Sequence, residues 1–368
     1  MHPQAANAGA ILTVDLNALR SNYRLLREQA GSALCGAAVK ADAYGLGAER
    51  VGPALAAEGC RHFFVAHLDE GIALRPHLPA TAQVFVLHGP PVGTEHEFIA
   101  HGLTPVLNSL QQIQGWHALA QSLQRPLPAI IQVDSGMSRM GLPAAEAEAW
   151  LANPHYLESI PPLFLMSHLA CAEHQGHPMN ERQLARFKTL RQRLPQVPAS
   201  LANSSGIFLG RNYQFDLVRP GAALYGIAPV AGAANPLQPV VTLHGRILQT
   251  RTIERGDHVG YGISYSATEQ RQIATVGVGY ADGWLRSMSN RGVVFIDGSA
   301  VPMVGTVSMD SITVDVTGIA AERLQAGALV ELIGPHRPVD EVAKSANTIG
   351  YEILTGLGLR YYREYVGN

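Results

Sequence analysis

From residue 10 to about residue 225, short apolar runs alternate with stretches whose apolar residues recur at helical spacing. The strand candidates are AILTV, ALCGAAVK, HFFVA, QVFVLH, TPVLN, AIIQVD, PLFLMSHL, ASLAN and FDLVRPG. Parallel strands have to be joined by crossover connections, so this alternation predicts a repeated strand–helix array. Eight or so such units in roughly 220 residues fit a closed (β/α)8 barrel of the TIM type better than an open sheet.

The pattern changes at residues 228–240, APVAGAANPLQPV, a small-residue, proline-containing stretch typical of a linker. Beyond it, strand-like runs follow one another with few helices between them. We therefore predict an α/β fold in two domains: a (β/α)8 barrel over residues 1–235 and a mostly β domain over residues 236–368.

Composition excludes several classes of protein. The chain has 368 residues, 47% of them hydrophobic, with a net charge of −2 and a pI near 6.7, so no nucleic-acid partner is expected. No window reaches the ~18 unbroken apolar residues of a membrane span, and the N-terminus lacks the pattern of a signal peptide. We expect no membrane partner and a cytoplasmic location. The three cysteines are too far apart to support a disulfide framework or a zinc ribbon.

Only three of the 27 basic residues are lysines. Lys188 and Lys344 lie in polar, helix-like segments and are expected at the surface, whereas Lys40 ends the apolar run GAAVK. An amine that can lose its proton can form a Schiff base, which a guanidinium cannot. Lys40 is therefore a candidate catalytic amine, with a strand-end lysine that reaches solvent as the alternative.

Catalytic residues of a barrel gather at the C-terminal ends of its strands. The polar residues at these ends are Lys40, Asp134, Arg139, His168, Asn203, Ser204 and Arg219. A lysine among arginine, histidine and asparagine, with a serine where a helix can start, indicates a site for an aldehyde cofactor that carries a phosphate.

The stretch AVKADAYGLG (38–47) resembles the cofactor-attachment motif of the alanine racemase family. The resemblance continues, in order and at family-like spacing, through VDSGMSRMGL, SHLACAE, LANSSGI, VRPGAALYG, VGYGISY, VGYADGWLR, VGTVSMDSITVDV and GYEILTGLGLR. It covers nearly the whole chain. It implies a barrel followed by a β domain, pyridoxal 5′-phosphate as cofactor, and racemisation of L-alanine to D-alanine by a homodimer with shared active sites.

The resemblance also implies two catalytic bases. Lys40 would hold the cofactor as a Schiff base and act on one face of the substrate's Cα. Tyr261, in VGYG, would act on the opposite face from the other subunit, with Tyr265 a neighbour at most. His168 would contact Tyr261, and Arg219 would contact both His168 and the cofactor's pyridine nitrogen, leaving that nitrogen unprotonated.

The remaining implied roles concern the phosphate and the substrate carboxylate. Arg139 and the backbone N–H of the other subunit's Met309 would bind the carboxylate. No metal is expected, although SHLACAEHQGH is rich in histidine, because its spacing fits no recurring zinc pattern. The phosphate and the rest of the cofactor would be bound by Tyr44, Asn203, Ser204, Gly221, Ala222 and Tyr351.

One position departs from the family. Many members carry a carbamylated lysine two residues before Asp134, where this chain has Gln132. A glutamine cannot be carbamylated, although its amide oxygen can accept a hydrogen bond from Arg139. We therefore predict that the activity is insensitive to bicarbonate.

Two alternatives to alanine racemisation stay open. One is a serine or broad-specificity racemase on the same scaffold, against which the bulk of Tyr351 favours a small substrate. The other is a non-catalytic protein that binds pyridoxal phosphate, against which the β domain argues. A role in supplying D-alanine, for example as a peptidoglycan precursor, and a role in alanine catabolism fit the sequence equally.

Overall fold

The computed structural model describes residues 4–367, which form two compact units. The barrel unit comprises residues 19–237, and the β unit combines the chain up to Ala18 with the chain from Gln238 onwards. The strands are, in chain order, β1 (Ala10–Asp15), β2 (Leu34–Cys35), β3 (Ala37–Ala38), β4 (His62–Val65), β5 (Gln83–Val86), β6 (Thr104–Leu107), β7 (Ala129–Gln132), β8 (Pro162–Met166), β9 (Ala199–Ser200), β10 (Leu217–Val218), β11 (Val241–Ile253), β12 (His258–Val259), β13 (Tyr265–Ser266), β14 (Arg271–Val276), β15 (Val293–Ile296), β16 (Ser299–Pro302), β17 (Ile312–Asp315), β18 (Leu329–Ile333) and β19 (Tyr362–Val366).

The α-helical segments are α1 (Leu16–Ala30), α2 (Lys40–Gly45), α3 (Ala48–Ala57), α4 (Leu68–Leu74), α5 (Glu95–Ala100), α6 (Leu110–Ser122), α7 (Ala144–Leu151), α8 (Pro154–Ser159), α9 (Pro178–Arg191), α10 (Ser204–Ile207), α11 (Arg211–Gln214), α12 (Val339–Ala346) and α13 (Gly350–Thr355). No helix within residues 4–367 is long and apolar enough to cross a bilayer.

The barrel unit contains a closed parallel sheet. Strands β3 to β9 pair in chain order, each parallel to the next, and β10 pairs with β2. The N–H groups of Gly36 and Ala38 donate to the carbonyls of Val218 (2.9 Å) and Pro220 (2.8 Å). On its other side, β10 is joined to β9 by the bond from Asp216 N–H to the Ala199 carbonyl (3.0 Å). These bonds complete the ring and confirm the predicted (β/α)8 barrel.

Packing inside the barrel unit explains why its strands lack alternation. Strand β7 is buried at all four of its positions, as expected for a parallel sheet covered on both faces. One apolar core cluster of the barrel unit consists of residues from its strands, namely Ala38, Phe64, Phe85, Val106, Ile130, Phe164, Met166 and Leu217. The barrel is therefore a packed core whose chemistry is confined to its rim.

The assignment of AILTV to the barrel array is wrong. Strand β1 pairs antiparallel with β11 and parallel with β19, in the sheet of the β unit. Its burial alternates residue by residue, so that Leu12 and Val14 are fully buried while Thr13 and Asp15 are half-buried. Such alternation is typical of a sheet with one buried face, whereas barrel strands are continuously apolar.

The β unit is built on a mainly antiparallel sheet of strand order β16-β15-β18-β11-β1-β19, with β14 pairing with β11 and β17. A smaller cluster near the β12–β13 hairpin consists of Ile253, Val259, Ala267, Ile273 and Val304. Residues 228–240, predicted as a linker, contain neither helix nor strand.

Candidate active site

Lys40 lies two residues after the end of strand β3 and is half-buried, whereas Lys188 and Lys344 are exposed as predicted. Burial lowers the pKa of the Lys40 amine below its ordinary value, and the positive charge of Arg139 lowers it further. The Glu70 carboxylate opposes both effects. A larger fraction of this amine is therefore neutral than for a lysine in water, and only the neutral amine is a nucleophile or a base.

The segment after Lys40 is a left-handed turn. Ala41, Asp42, Ala43 and Tyr44 all have φ between 53° and 57°. For residues with a Cβ atom, this conformation costs roughly 1–2 kcal/mol each. Strain of this kind persists only where the surrounding structure holds it, and it is concentrated at functional sites. The sequence had predicted the position of the lysine but not this turn.

A cluster of hydrogen-bond donors surrounds the buried hydroxyl of Ser204. Its Oγ accepts from the backbone N–H groups of Gly221 (2.9 Å) and Ala223 (3.2 Å). Asn203 caps the one-turn helix α10, with its Oδ1 accepting from Gly206 N–H at 2.9 Å. The structure thus brings Asn203, Ser204 and Gly221 together, and adds Ala223 beside the predicted Ala222.

Tyr44 lies against the same cluster. A Cβ atom on Gly221 would lie 2.3 Å from the Tyr44 phenol oxygen, so only glycine allows this close approach. The Tyr44 ring packs on Tyr225, with 4.6 Å between ring centroids. Hydroxyls and backbone N–H groups that converge beside a lysine fit the phosphate of an aldehyde cofactor.

Arg219 is 6% exposed and emerges just after strand β10. Its guanidinium donates to the Ser167 carbonyl (2.7 Å) and to Ser200 Oγ. Burial lowers its pKa to about 9, so the group stays positively charged at neutral pH. These two bonds use two of its five N–H donors, which leaves donors for a ring nitrogen.

His168 is half-buried at the end of strand β8, next to Ser167. Burial lowers its pKa to about 3, and the positive charges of Arg219, Arg139 and Lys40 act in the same direction. The imidazole is therefore neutral at physiological pH, so it can accept a hydrogen bond at one nitrogen and donate at the other.

Arg139 lies in an exposed loop that Asp134 shapes. The Asp134 carboxylate accepts from the N–H groups of Gly136 (2.8 Å), Met137 (2.9 Å) and Ser138 (3.1 Å). Within the described residues, the Arg139 guanidinium has no hydrogen-bond partner, Gln132 included. An unpaired guanidinium beside Lys40 is suited to a substrate carboxylate.

Glu70, His67 and His88 face the same region and were not singled out in the sequence. The two imidazole Nδ1 atoms are 3.4 Å apart. Burial lowers the pKa of His88, and His67, Lys40 and Arg139 lower it further. The three residues follow the C-terminal ends of strands β4 and β5. Their position after these strands could have identified them as candidate site residues from the sequence.

In the β unit, Tyr261 stands on a short turn after Gly260, and its side chain is 72% exposed. Gly260 and Gly262 have φ of 76° and 73°, which glycine adopts without strain. Tyr265 is instead half-buried and packs against the cluster around Val259 and Ile273. Of the two tyrosines, Tyr261 is therefore the one whose side chain is exposed.

Met309 and Tyr351 are also exposed on the β unit, at 53% and 38%. The loop of Met309 is held by a bond from Ala281 N–H to the Met309 carbonyl (3.0 Å). An ion pair supports the same region and was not predicted from the sequence. In this pair, Arg360 donates to both carboxylate oxygens of buried Asp282, at 2.6 and 2.8 Å. Both partners lie inside the family-like motifs VGYADGWLR and GYEILTGLGLR.

No group of three or more potential metal ligands occurs among residues 4–367. A parallel barrel with a neutralisable lysine at a strand end, a cluster of phosphate donors and a buried arginine defines a pyridoxal-phosphate enzyme of the barrel class.

Comparisons with known proteins agree with this class. The family described as alanine racemase, N-terminal domain, matches residues 14–229, and its C-terminal domain matches residues 240–365. The catabolic alanine racemase of Mesorhizobium japonicum is 51% identical, with 98% of this chain and 94% of that protein covered. The alanine racemase of Brucella abortus is 50% identical over the same shares.

A solved structure gives the same result. The alanine racemase of Bartonella henselae, with covalently bound pyridoxal phosphate, has a TM-score of 0.94 and 45% identity, covering 98% of this chain and 100% of that one. This chain belongs to the alanine racemase family.

Proposed function

We propose that the protein interconverts L-alanine and D-alanine with pyridoxal 5′-phosphate as cofactor, using Lys40 and Tyr261 as its two bases. The observation that carries the proposal is the half-buried Lys40, whose pKa is lowered beside the unpaired guanidinium of Arg139. When bound, pyridoxal phosphate draws electrons from the substrate's Cα and so makes the Cα proton removable.

The residues of the barrel unit would bind and orient both molecules. Lys40 holds the cofactor, and Tyr44, Ser204 and the N–H groups at Gly221 and Ala222 hold its phosphate, with Asn203 fixing the start of α10. Tyr351, which belongs to the β unit, would add its phenol to the phosphate. Support comes from the cluster itself, in which a buried hydroxyl and two backbone N–H groups already converge.

Racemisation requires a proton acceptor on each face of Cα, because a single base returns the proton to the side from which it came. The neutral amine of Lys40 serves one face. The phenol of Tyr261, supplied by a second copy of the chain, serves the other, with His168 contacting it. Arg219 would donate a hydrogen bond to the cofactor's ring nitrogen. With a pKa of about 9, the guanidinium keeps its proton at neutral pH, so the ring nitrogen is not protonated.

Arg139 binds one side of the substrate carboxylate, and the N–H of Met309 from the second copy binds the other. In support of this, Met309 N–H has no hydrogen-bond partner within residues 4–367. The bulk of Tyr351 limits the size of the substrate's side chain and so favours alanine.

We infer a homodimer from the large apolar side chains that the β unit exposes. Ile263 and Ile349 are each 60% exposed and Met309 is 53% exposed. Side chains of this kind are usually covered by a protein partner. The free thiols of Cys35, Cys60 and Cys171 fit a reducing compartment, which supports the inferred cytoplasmic location.

Proton NMR in heavy water tests the function. The purified protein with cofactor is offered a panel of L-amino acids, and the loss of each Cα proton signal is followed together with formation of the D-isomer. We expect fast exchange with alanine alone. Equally fast exchange with serine or lysine would overturn the substrate assignment, and no exchange despite bound cofactor would overturn the enzymatic one.

A further inference from the structure

The left-handed turn of residues 41–44, which directly follows Lys40, is restrained by two carboxylates. Glu70 Oε1 accepts from the N–H of Ala41, the residue after the lysine, at 2.7 Å. Asp42 Oδ1 accepts from Ala48 N–H at 2.7 Å and so ties the turn to the start of α3. Side-chain acceptors therefore restrain a backbone conformation that alanine and aspartate do not favour.

Glu70 is itself anchored through its second oxygen. Oε2 accepts from the N–H groups of Ala66 (2.6 Å) and His67 (3.2 Å) at the start of helix α4. One carboxylate thus connects the segment that follows strand β4 to the turn that follows β3. A side chain with three such bonds has little rotational freedom, so it defines where Ala41 lies.

The charged and titratable groups that face Lys40 are Arg139, Glu70, His88 and His168. Glu70 is the one carboxylate among these four, and its charge partly offsets that of Arg139. Both oxygens of the Glu70 carboxylate already accept backbone hydrogen bonds, so Glu70 is not placed to act as the base. Any role in the reaction is therefore exerted through Lys40.

We propose that Glu70 is a positioning residue for Lys40: through Ala41 it holds the left-handed turn that presents the lysine amine to the cofactor. This inference rests on the proposed function, since it assumes that Lys40 carries the pyridoxal phosphate. Positioning requires the length of the side chain, whereas an electrostatic role requires only its charge. The two requirements can be separated by a reciprocal pair of substitutions.

Glu70→Gln keeps the length but removes the charge, and its single acceptor oxygen can serve either Ala41 N–H or the N–H groups at the start of α4, not both. Glu70→Asp keeps the charge and both acceptor oxygens but retracts the carboxylate by one methylene. The first readout is the rate at which bound pyridoxal phosphate dissociates from each holoenzyme. We expect dissociation about tenfold faster than wild type for Glu70→Asp, which loses reach on both sides, and a smaller increase of about threefold for Glu70→Gln, which retains one of the two contacts.

The second readout is the reactivity of the Lys40 amine in the full-length protein freed of cofactor. An amine-specific acylating reagent is applied across a range of pH, and labelled peptides are quantified by mass spectrometry. The chain has only three lysines, so exposed Lys188 and Lys344 are internal references. We expect a lower pH midpoint at Lys40 in Glu70→Gln, because the lost negative charge no longer favours the ammonium.

Ser109→Ala is the matched control for losing a helix cap alone, since Ser109 Oγ accepts from Gln112 N–H at the start of α6. It should change neither readout. The proposal is overturned if both Glu70 variants release the cofactor within twofold of the wild-type rate, or if Gln is the more damaging of the two. A wild-type protein that does not racemise alanine would contradict the proposed function, while the two readouts would still decide the role of Glu70.

Discussion

Gln183 donates a hydrogen bond of 2.8 Å from Nε2 to the carbonyl oxygen of His168. The same nitrogen donates to Ser135 Oγ at 3.3 Å, and Oε1 accepts from Ala170 N–H at 2.9 Å. The Gln183 side chain is 0% exposed. One buried amide on α9 therefore fixes the backbone from His168 to Ala170.

Gln183→Leu should destabilise the protein by about 1–3 kcal/mol, because it leaves the partly buried His168 carbonyl and Ala170 N–H without their hydrogen-bond partner. Urea unfolding measures this loss, and alanine racemisation should fall as the histidine loses its support. Gln192→Leu, at an exposed position just after the same helix, is the control and should stay within about 0.5 kcal/mol of wild type. Equal stabilities of the two variants would contradict the role given to Gln183.

Stability should fall on acidification because of His168. Its folded pKa of about 3 lies below the ordinary value of 6.5, so between these values the unfolded chain binds a proton that the folded protein does not. The contribution of neutral His168 to the free energy of unfolding is fully present above pH 6.5. It decreases by about 1.4 kcal/mol per pH unit, for one proton, as the pH falls towards 3.

His168→Gln should remove this part of the slope, which denaturant unfolding between pH 4.5 and about 6.5 measures. His155→Gln, at an exposed position, is the comparison and should retain the wild-type slope. A His168 variant with an undiminished slope would show that this imidazole is already protonated in the folded protein.

Gly221→Ala should weaken the binding of pyridoxal phosphate, because the new Cβ would lie 2.3 Å from the Tyr44 phenol oxygen. Packing against Tyr225 limits how far Tyr44 can retreat. We also expect a loss of about 1–3 kcal/mol in stability from overpacking. Spectroscopic titration with the cofactor measures the affinity. Gly176→Ala meets no atom within 4 Å and should bind like wild type.

The predictions from sequence failed at residues whose roles depend on distant partners. The barrel followed from repeated apolar runs, and the strand ends located Lys40, Arg139, His168 and Arg219. Strand β1 was assigned to the wrong sheet because a short apolar run is compatible with either sheet. Only the alternation of apolar and polar residues along β1 indicates a strand with one buried face. Glutamine in a polar helix resembles a surface residue, and only its spacing from buried Asn180 and Phe187 places Gln183 on the inner face.

Arg360→Gln should destabilise the β unit by about 2–3 kcal/mol, because it leaves the carboxylate of Asp282, 5% exposed, without its charged partner. Asp282 also accepts from Gly279 N–H at 2.8 Å, close to the loop of Met309. Thermal unfolding checks the stability, and KM for alanine should rise if the loop shifts. Arg251→Gln, at an exposed site on β11, is the control. Unchanged stability and KM in Arg360→Gln would contradict this role.

The proposed active site combines Lys40 of one subunit with Tyr261 of the other on the same substrate. Two inactive variants, Lys40→Ala and Tyr261→Phe, are co-expressed with different affinity tags, and the hybrid dimer is purified through both. Each hybrid would contain one complete site and one that lacks both bases. We expect about half of the wild-type racemase activity in the hybrid and almost none in either parent dimer. A hybrid dimer as inactive as its parents would contradict the shared site.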